Sequence, residues 1–275
     1  MTQTAVITGG TGGMGLATAE ILGRDHRVVL ADLDRSRIDR CVAELTERGI
    51  DASGTICDIT DRNSVECLLD GAETGGHHVR AVVHTAAISP QMGSAQQIAR
   101  INGTGTVHVA QAFLARAGQG DALVNVASTG GYGLPRPLVP FGAFPLAETR
   151  PEAFEAAVVR RARLAGRRLH SGLAYAISKA FVIWYTRSLA VAFGERGARI
   201  VSVSPGSFDT AMGKLEKDHG AAELLETAAI KRFGRPEEIA AVLAFCAAEA
   251  SSYLTGVDIL VDGGSRAGKE FQRRK

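Results

Sequence analysis

Hydrophobic residues along this chain fall in short, nearly unbroken runs, separated by longer stretches in which they recur every three or four positions. The runs are "TAVIT" (4–8), "RVVLA" (27–31), "SGTIC" (53–57), "RAVVH" (80–84), "ALVNVA" (122–127), "RIVSVS" (199–204) and "VDILVD" (257–262). Their length and content of β-branched residues mark them as strands. Helical periodicity covers 13–23, 34–48, 61–71, 94–117, 174–194 and 235–248. Strands without a polar face, alternating with helices, predict a parallel sheet covered on both sides. No repeat of fixed period interrupts this rhythm, so one doubly wound α/β domain is expected over 1–264. Two segments stand outside it. Residues 133–170 read as an insertion, and 265–275 as a basic, mobile tail too polar to assign structure.

Composition adds little. Hydrophobic residues at 45% and charged residues at 22% are ordinary for a globular domain. A formal net charge of +2 gives no reason to expect a nucleic-acid partner. Cys41, Cys57, Cys67 and Cys246 show no CxxC spacing and no histidine at metal-like distances. They are expected to be reduced, buried or half-buried thiols, and no metal site is expected. The start "MTQTAVITGG" runs straight into a strand, and no apolar run approaches the roughly 18 to 20 residues needed to span a bilayer. A soluble cytoplasmic protein with no membrane association is the expectation.

Candidate chemistry changes the picture more. The first strand ends in "TGGTGGMG", Thr8 to Gly15, immediately before a helix. Glycines there permit a tight turn and let the backbone approach a pyrophosphate at the positive helix terminus. A turn before a helix needs glycine for geometry alone, so the cluster becomes informative only with Asp32. That residue ends the second strand, where a carboxylate can accept hydrogen bonds from an adenosine ribose and repel a 2′-phosphate. NAD is therefore expected over NADP. Arg35 and Arg37 read as solvated residues starting a helix, and Asp58 in isolation reads as an N-cap.

The spacing Gly9-xxx-Gly13-x-Gly15 resembles the TGxxxGxG of the short-chain dehydrogenase/reductase family. Further matches follow in order: "CDIT" (57–60), "INGTG" (101–105), "VNVAS" (124–128), "YAISK" (175–179), "PGSFDT" (205–210), "GRPEEIA" and "LTGVDILVDGG". The resemblance covers nearly the whole chain apart from the insertion and the tail. It implies a Rossmann-like sheet of seven parallel strands and NAD(P)-dependent interconversion of alcohols and ketones. Carried over by position, it implies catalytic roles for Asn102, Ser128, Tyr175 and Lys179. Cofactor contacts are implied for Gly9, Gly13, Met14, Gly15, Asp32, Leu33, Asp58, Ile59, Ala86, Tyr175, Lys179, Pro205, Phe208 and Thr210. Family members commonly form dimers or tetramers, so a homo-oligomer is implied.

The chemistry supports these roles. Hydride transfer to a carbonyl leaves an alkoxide that needs a proton, and the reverse reaction needs a base. A free phenol has a pKa near 10, too high for a good base at neutral pH. Lys179, four residues on, shares a helix face with Tyr175 and favours the phenolate. The resemblance gives Lys179 the nicotinamide ribose as well. Ser128, at a strand end, can hydrogen-bond the developing oxyanion. By the resemblance, Asn102 anchors a water in a proton relay.

The chain also departs from the family. "HTAA" (84–87) stands where Asn-Asn-Ala-Gly is usual, so Ala87 restricts the backbone where glycine is common, and His84 is expected only to pack. Val201 stands where an asparagine is frequent, and the pair His77 and His78 is expected to face solvent. From Ser128 to Tyr175 the chain runs 47 positions, longer than in ordinary members. Five of the eight prolines fall within 135–154 and suggest a stiff apolar wall beside the substrate. A helix from Thr149 or Pro151 should follow, with Phe154, Val158 and Ala165 as its stripe. From Arg150 to His170 there are six arginines against two glutamates. They read as a solvated face, as a positive lid, or as part of an element remodelling the face on which relatives dimerise. The leading functional reading is an NAD-dependent oxidoreductase acting on a hydroxysteroid or similar bulky secondary alcohol. A 3-oxoacyl thioester reductase and a catalytically silent NAD-binding sensor are the alternatives.

Overall fold

A computed structural model describes residues 3–216 and 226–272. The seven runs form β1 (Gln3–Thr8), β2 (Arg27–Asp32), β3 (Ala52–Ile56), β4 (His78–His84), β5 (Ala122–Val126), β6 (Arg199–Pro205) and β7 (Asp258–Val261). All neighbours pair in parallel, in the order β3-β2-β1-β4-β5-β6-β7. The strand order reverses between β1 and β4, which opens a crevice above their carboxyl ends.

Helices cover both faces. On one side lie α1 (Gly13–Leu22), α2 (Arg35–Glu47) and, later in the chain, Pro236–Ala247, numbered α11 below. On the other lie α3 (Arg62–Glu73), the helical stretch Ala95–Leu114 and Gly166–Ser188. Ala95–Leu114 consists of α4 (Ala95–Ile98), a π-helical segment Ala99–Thr104 and α5 (Gly105–Leu114). A π segment carries an extra residue per turn and often marks a functional position. Here it contains Asn102.

The insertion forms α6 (Leu146–Thr149) and α7 (Pro151–Ala162), and a turn at Arg163–Ala165 leads into α8 (Gly166–Ser188). Helix α7 starts at Pro151, as expected, but stops at Ala162, so the later arginines belong to the turn and to α8. The prolines form short turns at Arg136–Leu138 and Phe141–Ala143 rather than an extended wall. Of its described residues, Gly133 alone lines the cleft, and the helical part packs away from it. Phe144 and Phe154 are fully buried against Phe181 of α8, at ring separations of 5.3 and 4.6 Å. The physical reason is that its apolar stripe finds an apolar partner on the outer side of the π segment and α8. A Cβ on Gly103 would lie 2.5 Å from the Phe154 ring, so the missing side chain makes room for it. Glu155 then accepts hydrogen bonds from the Thr104 hydroxyl at 2.8 Å and the Gln96 amide at 2.7 Å.

Three short helices complete the chain: α9 (Ala190–Glu195), α10 (Ala211–Glu216), and α12 (Ser265–Gln272) after α11 (Pro236–Ala247). Helix α12 corrects the expectation that the tail lacks structure, although residues 273–275 lie outside the described residues. Asp262 accepts from Gly264 N, the Ser265 hydroxyl and Arg266 N, so the strand end itself nucleates the helix. His78 also departs from expectation, because its ring binds the buried Asp121 at 2.8 Å rather than facing only water. Cys67 is exposed, while Cys57 and Cys246 are buried. Ala87 is unstrained, since no non-glycine residue among those described has positive φ. No helix among the described residues is long and apolar enough to cross a membrane.

Candidate active site

At the carboxyl end of β1 the chain turns at Gly9, with φ +66°. A Cβ there would lie 2.7 Å from Ala86 N, so only glycine lets this turn touch the loop after β4. Helix α1 opens at Gly13 behind Gly12, which supplies no side-chain cap, and its first N–H groups stay available to an anion. A Cβ on Gly13 would sit 3.2 Å from the Thr210 methyl and fill the gap between the helix terminus and the loop after β6.

Asp32 stands at the end of β2. One carboxylate oxygen accepts from Leu33 N at 2.8 Å, and the other from the amide and hydroxyl of Thr11. These bonds fix the carboxylate while leaving acceptor capacity on both oxygens. Arg37 donates to the Thr11 carbonyl at 3.2 Å and lines the cleft, so it is not simply a solvated helix residue. Asp58 is not an N-cap. Asp61 caps α3, and Asp58 instead closes a local turn by accepting from Thr60 N and its hydroxyl, each at 2.8 Å.

On the far side of the switch point, Ser128 follows β5. Its hydroxyl accepts from Gly130 N at 3.1 Å. A Cβ at Gly130 would lie 3.5 Å from Ser128 Oγ and 3.3 Å from Tyr175 Cε1, so both groups flank the same small space. Lys179 lies one turn along α8 from Tyr175. Its Nζ stands 5.8 Å from the Tyr175 ring centroid and donates to the Val126 carbonyl at 2.9 Å. The ammonium is almost completely buried, and that burial pushes its pKa down to about 8.

Asn102 does not line the cleft. Its amide oxygen accepts from Ile88 N at 2.9 Å, and its amide nitrogen donates to the Ile88 carbonyl at 2.9 Å and to Ser178 at 3.3 Å. The side chain is thus occupied in holding the loop after β4 against α8. His84 lies beneath it. The Thr106 hydroxyl gives its proton to the Asn102 carbonyl at 2.8 Å, so His84 Nε2–H donates to Thr106 at 3.1 Å. The other ring nitrogen accepts from Thr8 at 2.7 Å. Complete burial, with a smaller contribution from the charge on Lys179, pushes the His84 pKa down to about 3. His84 is a neutral structural link, held by hydrogen bonds at both ring nitrogens rather than by packing alone.

One cleft of about 1350 Å³ brings together Ser128, Tyr175, Lys179 and every residue for which a cofactor contact was expected. Among the described residues from 134 to 174, none lines it. Sequence reasoning missed Thr11, Tyr132, Arg266 and Lys269. Thr11 binds Asp32 at the cleft's edge, and the other three stand on its walls. Only Thr11 left a signal, since it sits inside the glycine turn and faces the strand end that carries Asp32.

Residues 3–140 match the family model described as short chain dehydrogenase, and residues 150–266 match one described as Enoyl-(Acyl carrier protein) reductase. A "Short-chain dehydrogenase/reductase bsc3" from Alternaria brassicicola is 31% identical over 272 residues, covering 97% of each chain. The chain belongs to the short-chain dehydrogenase/reductase family. Among other relatives, the rabbit (Oryctolagus cuniculus) protein "Dehydrogenase/reductase SDR family member 4" is 28% identical, covering 96% of this chain and 93% of the relative. The fold also matches the crystal structure of a single-residue variant of actinorhodin polyketide ketoreductase with NADPH. That match has a TM-score of 0.75 at 22% identity, over 96% of this chain and 97% of the other. The two family models meet on either side of 141–149, within the insertion.

Proposed function

We propose that this short-chain dehydrogenase/reductase is a cytoplasmic NAD-dependent oxidoreductase. It interconverts a bulky secondary alcohol and its ketone, with Tyr175 as acid and base. The observation that carries the reading is the buried Lys179 ammonium 5.8 Å from the Tyr175 ring, in the same cleft as Ser128 and the glycine turn. The residues present fit a dinucleotide: α1 offers uncapped N–H groups, Gly13 leaves a gap that a Cβ would fill, and Asp32 is a fixed acceptor at the sheet edge. When bound, the nicotinamide supplies or accepts the hydride.

The chain's own residues do the rest. The Tyr175 hydroxyl gives a proton to the oxygen of a ketone as it becomes an alkoxide, and takes one from the alcohol in reverse. The positive charge of Lys179 lowers the cost of the phenolate. The Ser128 hydroxyl holds the same oxygen, which fixes the carbonyl against Tyr175. Asn102 acts through position, because its side chain secures Ile88 and thereby the wall of the cleft. Asp32 repels a 2′-phosphate, which supports NAD over NADP. The apolar side chains of Ile88, Met92, Phe208, Met212 and Leu215 support a bulky substrate such as a hydroxysteroid. The same chemistry would serve a 3-oxoacyl thioester. Exposed Phe245 and Leu260, on α11 and the edge strand β7, support assembly into a homo-oligomer.

The test is a panel of steroid, aliphatic and acyl-thioester ketones, followed by loss of NADH or NADPH absorbance. Turnover with a ketone, faster with NADH, is expected. Tight NADH binding with no turnover across the panel would instead favour the silent sensor.

A further inference from the structure

Arg266 is the second residue of α12 and forms one wall of the cleft together with Tyr132 and Gly133. Its root is fixed, since its N–H donates to Asp262 at 2.8 Å. Its guanidinium carbon stands 4.7 Å from the centroid of the Tyr132 ring, and Nη1 is 3.3 Å from the position a Cβ on Gly133 would take. The ring beneath it is itself held, because the Tyr132 hydroxyl donates to Asp258 at 2.5 Å. The other Asp258 oxygen accepts from the Ser202 hydroxyl at 2.5 Å. The nearby carboxylate is therefore used within the fold.

Among the described residues, no acceptor takes a hydrogen bond from the Arg266 guanidinium, and no ion pair joins it to Glu270. Glu270, which also lines the cleft, has an interaction of its own. A half-buried guanidinium carries five donors in a planar fork, and the fold supplies none of them with an acceptor. Stacking on Tyr132 occupies the flat face and leaves the edge, where a planar carboxylate binds through two parallel N–H···O bonds. Lys269, three residues along α12, adds a second positive charge to the same wall.

We infer that Arg266 is a specificity residue that receives a carboxylate of the substrate. The preferred substrate would then be a secondary alcohol or ketone with an apolar body and an acid group. This inference rests on the oxidoreductase reading for the substrate's other end, but the anion site can be tested without turnover. In the protein saturated with NADH, hexanoate and hexanamide binding are compared by calorimetry. Hexanoate is expected to bind about tenfold more tightly or better, as a charge-assisted pair requires. Arg266→Met should abolish that difference and Arg266→Lys should keep part of it. Arg266→Gln carries the comparison if the methionine variant no longer binds NADH. Equal affinities in the wild type, undetectable hexanoate binding, or a preference that survives loss of the arginine would overturn the inference. If hexanoate is discriminated but no ketone in the panel is reduced, the anion site stands and the oxidoreductase reading falls. If ketones are reduced with no discrimination, the oxidoreductase reading stands and the anion site falls.

Discussion

A phenol works as a base near neutral pH only where something stabilises its anion, and in the proposed reaction Lys179, 5.8 Å from the Tyr175 ring, has that task. Lys179 is the source of charge, and its burial holds its own pKa down to about 8. His84 has a different role. Its folded pKa of about 3 lies well below the ordinary value of 6.5. Between those values the unfolded chain holds a proton that the folded chain does not, so stability is full above pH 6.5 and is lost as pH falls towards 3. The loss is on the order of a few kcal/mol. His84→Asn should therefore flatten the decline in urea-unfolding stability between about pH 7 and 4.5, and an unaltered slope would contradict it. The sequence made the Tyr175–Lys179 pair legible because four-residue spacing on a helix places both side chains together. It could not show that the Asn102 amide is used up on Ile88 and Ser178, because that depends on contacts between distant segments.

At the scale of elements, the strands and most helices were legible, because apolar runs and helical periodicity are local properties. The destination of the insertion was not. The stripe on α7 shows that the helix buries a face, but not which surface receives it. That surface is the π segment and α8, where Gly103 admits Phe154 and Glu155 meets Thr104 and Gln96. Helix α7 thus braces the turn that carries Asn102. Phe154→Ala should cost about 3–5 kcal/mol in urea unfolding, the usual penalty for emptying a buried aromatic site. A cost below about 1 kcal/mol would mean that the insertion is only loosely attached. The same packing covers the side of α8 and the π segment that faces away from the cleft.

For the whole molecule, the sheet brings the glycine turn, Asp32, Ser128 and the α8 pair to one edge, while α12 closes the cleft from the far end of the chain. The polar tail carried no helical signal. Its helix depends on capping by Asp262 and on docking beside Tyr132, both tertiary effects. In the proposed assembly, copies meet through exposed Phe245 and the edge strand β7. The wild type is expected to run as a dimer or larger in gel filtration with light scattering, and Phe245→Glu should shift it towards monomer. A wild-type monomer would contradict this. The account as a whole depends on Tyr175. A single-turnover measurement of NADH oxidation, using the best ketone from the panel, compares the wild type with Tyr175→Phe. The variant should bind NADH with little change and transfer hydride about a hundred- to ten-thousandfold more slowly. Hydride transfer at near the wild-type rate would remove Tyr175 from its role.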